Sequence, residues 1–274
     1  MIELLRADAL TRLADRDPNA TPGFDGDKAA GQEALAAGVD HLSNLQERLF
    51  AASTAGERRR VLLVLQGMDS AGKGGIVRHV VGSVDPQGVH LATFKKPTEK
   101  ELSHHFLWRI ERELPPVGRI GVFDRSHYED VLIGRVRELA PAAEIEQRYD
   151  DIVEFERRLE RTGISVVKVM LHISADEQKA RLTERLERPD KHWKYTTNDI
   201  AERMLWDDYQ RAYELAIQRT STEEAPWYVI PGNRKWYARL AVQALLTDAL
   251  ERIDPQWPIA SYDVDAEKQR LAAT

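Results

Sequence analysis

The stretch Val61-Leu62-Leu63-Val64-Leu65-Gln66-Gly67-Met68-Asp69-Ser70-Ala71-Gly72-Lys73-Gly74 decides how the rest of the chain is read. Its first five residues form an unbroken apolar run of strand length, which fits a parallel strand buried on both faces. Gly67-x4-Gly72-Lys73 then has Walker A spacing. In such a loop successive backbone N–H groups curl around phosphate oxygens, the lysine reaches the same oxygens, and the following helix presents its positive end. Strand, loop and helix occur in the order that mechanism requires. Gly67, Met68, Ser70, Ala71, Gly72 and Gly74 are therefore expected to border phosphate, with Lys73 as its counter-charge.

Two residues depart from the usual loop. Gly74 stands where a Ser or Thr normally offers a hydroxyl to Mg²⁺. Asp69 lies inside the loop, where its charge would repel phosphate. A hard cation resolves both, since Mg²⁺ or Mn²⁺ prefers carboxylate oxygen and would join Asp69 to the substrate's oxygens. The plain alternative is that Asp69 only caps the helix. A second carboxylate fits the cation reading. Arg119-Ile120-Gly121-Val122-Phe123-Asp124 has the form of a Walker B strand, which would deliver Asp124 to the carboxyl end of the sheet beside the loop. Arg125 follows on the same rim, where a guanidinium can grip phosphate with two donors. His127 and Glu129 are candidates for the acceptor side, and Asp130 reads as an ordinary first-turn acid.

Around this centre, strand-like runs Val61 to Leu65, Val89 to Phe94, Ile120 to Phe123, Val166 to Ile173 and Tyr228 to Ile230 alternate with helical stretches. Alternation of that kind means βαβ units. The expected fold is a P-loop kinase-like, three-layer α/β/α domain with a five-stranded parallel sheet and a helical lid. Residues 1–33, broken by Pro18, Pro22, Gly23 and Gly26, read as an irregular arm without chemistry. Residues 34–253 form the domain, opening with an amphipathic helix from Glu33 to Ala55, and 254–274 read as a surface tail. The other expected helices are Lys73 to Val81, Glu99 to Glu113, Ile145 to Arg161, Ala175 to Leu186, Asp199 to Arg219 and Lys235 to Arg252.

Charge narrows the class further. The net charge is −6, which argues against a general nucleic-acid or membrane-surface binder, so any polyanion must be met by local cations. Lys179, Arg181, Arg185, Arg188, Lys191 and Lys194 supply six against the three acids Glu184, Glu187 and Asp190. With Pro189 breaking the helix, the segment from about 175 to 197 reads as a lid able to close over phosphates, or more plainly as a solvated face. Lys95 and Lys96, with Lys100, follow the second strand and are expected to face the same crevice or to sit on a surface loop. His104 and His105 are adjacent and would point about 100° apart on a helix, so no zinc site is expected. With 0 cysteines there are no disulfides and no thiol chemistry, and no secretory leader or membrane-length run is evident, so a cytoplasmic protein is expected.

Several separated motifs resemble one family. Leu65 to Lys73, Val84-Asp85-Pro86-Gln87-Gly88-Val89, Phe94-Lys95-Lys96-Pro97-Thr98, Phe106-Leu107-Trp108-Arg109 and Phe123-Asp124-Arg125-Ser126-His127-Tyr128-Glu129-Asp130-Val131-Leu132 are similar to the second family of polyphosphate kinases. So are Thr21-Pro22-Gly23-Phe24, Lys191-His192-Trp193-Lys194 and Pro226-Trp227-Tyr228-Val229-Ile230-Pro231, and the likeness runs from about residue 20 to 245. The resemblance implies a fold like thymidylate kinase, Mg²⁺ dependence, a dimer or tetramer, and reversible phosphoryl transfer between inorganic polyphosphate and nucleotides. AMP and ADP would be acceptors, ATP a product, and GDP and GTP further candidates. Carried over, the functional positions are Asp69, Lys73, Asp124 and Arg125, with Arg181 and Arg185 as lid cations. Two departures stand out: Gly74, at a position often acidic in close relatives, and His105, where Asp is expected. Read from residues alone, an ATP-dependent kinase and a non-catalytic P-loop nucleotide-binding module remain the rivals.

Overall fold

The computed structural model describes residues 1–274. Its frame is one sheet of β1 (Arg6–Ala7), β2 (Arg60–Gln66), β3 (Val89–Thr93), β4 (Ile120–Asp124), β5 (Ile164–His172) and β6 (Trp227–Pro231), in the order β1-β6-β5-β2-β4-β3. Val61 to Leu65 of β2 are each 0% exposed, as a central parallel strand covered on both faces must be. Alternate residues of β2 serve opposite faces. Leu63 and Leu65 join the helices Val39–Ser53 and Lys235–Ile253 in one core, and Leu62 and Val64 join Ala142–Arg161 and Trp206–Thr220 in the other. These two cores make the three layers.

Five strands are mutually parallel, but the sheet has six, and β1 runs antiparallel to β6 with Arg6 opposite Tyr228. The residues expected to be an irregular arm therefore supply an edge strand. Leu5, Ala7 and Leu13 are buried, Pro18 O accepts from Asn233 N at 3.1 Å, and Pro22 O accepts from the Tyr237 hydroxyl at 2.7 Å. A two-residue strand is too short to show period-two patterning, so only its pairing reveals it.

Other boundaries shift for local reasons. The helix expected from Glu33 to Ala55 is two, Lys28–Ala37 and Val39–Ser53, meeting at Gly38, where an added Cβ would stand 2.6 Å from Gln243 Oε1. The stretches expected to be single helices from 99 and from 199 are also divided, into Glu99–Leu102 and Trp108–Glu111, and into Asn198–Arg203 and Trp206–Thr220. The tail carries a helix, Val264–Ala272, with no buried residue. No helix is long and apolar enough to cross a membrane.

Register places the chemistry. β2 pairs with β4 so that Leu65 lies opposite Asp124, and with β5 so that Gln66 lies opposite Met170. The loop after Gln66 thus begins beside Asp124, at the carboxyl edge where α/β sheets hold their ligands.

Candidate active site

Backbone conformation comes first. Gly67 and Gly72 have φ of 152° and 118°, and Ser70 and Arg125 also have positive φ, at 66° and 67°. Glycine adopts such angles without a Cβ clash, whereas Ser70 and Arg125 are held in a sparsely populated region on adjoining loops. The N–H groups of Asp69, Ser70, Gly72, Lys73 and Gly74 make no hydrogen bond within the protein, and Ser70 Oγ also lacks a partner. The loop's outward carbonyls are tied down instead. Arg181 donates to Ser70 O and Ala71 O at 2.9 and 2.8 Å, and to Gly232 O and Asn233 O at 2.6 and 3.1 Å. Gln178 Nε2 adds a bond to Asp69 O at 3.1 Å. With carbonyls held from outside and N–H groups free inside, the loop is a ready anion cradle.

The charged groups meet at the mouth of this cradle. Lys73 Nζ donates to Gly67 O at 2.6 Å. Burial pushes its pKa down and Arg125 adds to that, against the opposing pull of Asp69, Asp124 and Glu129. Arg125 contacts Asp69 Oδ1 at 3.0 Å and Glu129 Oε2 at 3.4 Å. Burial would lower its pKa, but Glu129 and Asp69 outweigh that and raise it. Glu129 is itself pushed up by burial, against the attraction of Arg125 and Lys73. With its amide oriented to satisfy both ends, Gln66 donates to Glu129 Oε1 and accepts from Ser126 Oγ, each at 3.0 Å, which fixes the turn after Asp124.

These groups border one cavity of about 690 Å³, lined by Asp69 to Ile76, Asp124 and Arg125 on the sheet side and by Arg185, Lys191, Trp193 and Lys194 on the other. The second wall belongs to the helix Ala175–Glu187 and the turn Pro189–Lys194 that follows it. Arg188 ends the helix in an extended conformation, as a residue before proline tends to. Arg185 is held by Asp199 Oδ2 and Lys194 O at 3.4 and 3.3 Å, and Trp193 is 78% exposed with the Lys194 ammonium 4.9 Å from its ring centre.

Other expected site residues lie elsewhere. Gly67 is the acceptor for Lys73, and Met68 is packed in the core, so neither lines the cavity. Lys95, Lys96 and Lys179 are exposed outside it, because their positions on the β3 exit and on the helix turn them to solvent. Arg181 reaches the cavity edge, but its donors are occupied by four carbonyls and by Glu177 at 2.7 Å, which makes it the loop's buttress. His127 is 0% exposed and meets Glu156 at 3.1 Å in the core below. Sequence reading missed Arg78, His79, Lys235 and Arg239, which also line the cavity. Only their helical spacing after a strand-end loop hinted at them, and they come from two distant segments.

Asp69 and Asp124 suit a hard divalent cation. Both border the cavity, and no three His, Asp or Glu side chains cluster into a closed cage. Mg²⁺ is commonly held by one or two carboxylates with substrate phosphates and water completing its sphere.

Comparisons with known proteins identify relatives of this chain. The family model for polyphosphate kinase 2 matches residues 25–258. The chain is 46% identical over 254 residues to an AMP/ADP-polyphosphate phosphotransferase of Meiothermus ruber, covering 93% of this chain and 94% of that protein. It is 42% identical over 238 residues to an ADP-polyphosphate phosphotransferase of Rhodopseudomonas palustris, covering 82% and 81%. The crystal structure of a polyphosphate kinase 2 from Arthrobacter aurescens superposes with a TM-score of 0.97 at 56% identity, over 99% of this chain and 96% of that one.

Proposed function

This chain belongs to the polyphosphate kinase 2 family, and from that premise we propose that it transfers a phosphoryl group reversibly between inorganic polyphosphate and AMP or ADP. The observation that carries the reading is the shared cavity: unpaired loop N–H groups, Lys73, Arg125, Asp69, Asp124 and the cations Lys191 and Lys194 face one space. Phosphoryl transfer asks little covalent help of a protein, so positioning and charge neutralisation supply most of the rate. The loop N–H groups and Lys73 hold donor oxygens. Arg125, already between Asp69 and Glu129, swings its guanidinium onto a phosphate when one arrives. Asp69 and Asp124 would hold Mg²⁺, or Mn²⁺, whose double charge supplies electrostatic stabilisation to the phosphate oxygens. The exposed turn Pro189–Lys194 serves as a lid whose lysines approach the phosphates and exclude water. GDP and GTP as further nucleotides, a cytoplasmic location and a homo-oligomer belong to the same proposal.

The decisive assay mixes the purified protein with Mg²⁺, long-chain polyphosphate and ADP or AMP. Formation of ATP or ADP is expected. Activity from ATP alone on another acceptor, or tight nucleotide binding without turnover, would overturn the reading in favour of a conventional kinase or a binding module.

A further inference from the structure

No residue of the N-terminal arm lines the cavity, yet the arm is bonded to the strut that holds the phosphate loop. The joint is Asn233, just past the end of β6. Every polar atom it carries has a partner. Its N–H donates to Pro18 O of the arm at 3.1 Å, and its Nδ2 donates to Asn19 Oδ1 at 3.1 Å and to Ser174 Oγ at 3.2 Å. Its Oδ1 accepts from Ser174 N at 3.0 Å, and its carbonyl accepts from Arg181 Nη2 at 3.1 Å.

Two routes lead from this joint to the phosphate loop. Arg181 spans from Gly232 O and Asn233 O on one side to Ser70 O and Ala71 O on the other. Ser174 caps the helix Ala175–Glu187, its Oγ accepting from Glu177 N at 3.2 Å, and one turn along that helix Gln178 reaches Asp69 O. The loop needs this bracing. Ser70 is held at a φ of 66°, which a residue with a Cβ keeps only where its surroundings over-determine it. Carbonyls released from Arg181 would let Ser70 relax, and the N–H groups around it would lose their common aim.

We propose that Asn233 is a positioning residue for the phosphate loop, and that Pro18 and Asn19 make the N-terminal arm a working part of phosphate binding. The inference rests on the reading of that loop as the donor's cradle. Asparagine suits the joint because its amide offers an accepting oxygen and a nitrogen with two donors on a short stem. Alanine offers neither. The arm's other ties differ in kind. Pro22 O accepts from the Tyr237 hydroxyl at 2.7 Å, and Phe24 meets Trp236 edge-on with ring centres 5.7 Å apart, but neither contact involves Arg181 or Ser174. Substitution can therefore separate packing of the arm from positioning by it.

The test compares wild type with Asn233→Ala, Asn19→Ala, the double variant and Tyr237→Phe, in the polyphosphate and ADP assay and in direct binding of tripolyphosphate without nucleotide. Asn233→Ala should lower kcat/KM for the donor about tenfold and weaken tripolyphosphate binding about as much, the equivalent of one or two lost hydrogen bonds. The KM for ADP should move by less than about twofold. Asn19→Ala should lose about threefold on the donor side. The double variant should lose no more than Asn233→Ala alone, because both act through one joint. Tyr237→Phe should lower the unfolding temperature while donor kinetics stay within about twofold of wild type. The relay is overturned if Asn233→Ala keeps donor kinetics and tripolyphosphate affinity within about twofold of wild type, or if the two asparagine losses multiply. It is equally overturned if the ADP KM rises as much as the donor KM, or if Tyr237→Phe costs as much donor binding as Asn233→Ala, which would reduce the arm to packing. Should Asn233→Ala fail to fold, exposed Asn19→Ala decides alone: weaker tripolyphosphate binding at an unchanged unfolding temperature supports the relay, and unchanged binding overturns it. Wild type that binds tripolyphosphate but makes no ATP from any polyphosphate would sink the functional reading, and the binding measurements would still decide the relay.

Discussion

Two clusters of charge lie at different depths along the same turn, and they are built in opposite ways. Below it, Lys168 of β5 is 0% exposed and each of its three protons has a partner: Glu156 at 2.6 Å, Thr220 O at 2.7 Å and the Tyr128 hydroxyl at 3.2 Å. Glu156 accepts in turn from Tyr128 at 2.8 Å and meets His127 at 3.1 Å. Above it, five loop N–H groups have no partner in the protein, Arg125 is shared between two carboxylates, and Arg78 and Arg239 line the same cavity. A buried charge whose valences are all met holds structure together, whereas a cluster left unmatched at a cavity is prepared for a ligand. Charge type alone does not separate the two. Arg181, expected from its neighbours in sequence to grip phosphate, has the fully matched kind of environment.

The largest effect expected from this contrast is in the lower cluster. Lys168→Met should destabilise the fold by about 3–5 kcal/mol, because Glu156 would be left as an uncompensated buried charge. Chemical denaturation measures it, and a loss below about 1 kcal/mol would show the pair is not what holds that layer. Adding Glu156→Leu should recover part of the loss, because the uncompensated charge is removed while His127 and Tyr128 lose an acceptor.

In the upper cluster Lys73→Ala and Asp69→Asn should each cut the rate at least about a hundredfold, about 2.7 kcal/mol in the barrier, with little change in stability. Steady-state kinetics beside thermal melts separates the two, and near-normal turnover in Asp69→Asn would remove the cation from that residue.

Acid sharpens the comparison in a smaller way. Burial alone would raise the Glu156 pKa, but Lys168 and His127 outweigh it and hold the carboxyl below its ordinary value of 4.5. A depressed carboxyl pKa means the unfolded state binds protons first on acidification. Its share of stability is therefore complete above about pH 4.5 and lost as pH falls through the folded value. Unfolding curves across that window should flatten in Lys168→Met/Glu156→Leu, and an unchanged pH slope would refute the linkage. The smallest effect belongs to Lys179, exposed and outside the cavity. Lys179→Ala should leave stability within about 0.5 kcal/mol and the rate nearly unchanged, measured in the same assays.

Much of this arrangement was legible in the chain. An apolar run followed by Gly67-x4-Gly72-Lys73 can only serve a phosphate loop if strand and helix flank it, and a second apolar run ending in Asp124 has to emerge at the same sheet edge in a parallel register. Those are consequences of local periodicity and loop geometry, which neighbouring residues encode. Tertiary structure alone decided which cations turn to the cavity and which brace the fold. Arg181 and Arg185 lie four residues apart on one helix, yet the first is spent on carbonyls from two loops, whereas the second lies along the cavity wall. His127 lies three residues after Asp124 and turns into the core, because Glu156 waits there on another helix. The short β1 strand exists only through β6, and the Arg78, His79, Lys235 and Arg239 wall only through the packing of two helices that are far apart in the chain. Pattern fixes where a side chain is carried, but the partners that satisfy or abandon its charge come from distant segments, and those are set only when the chain folds.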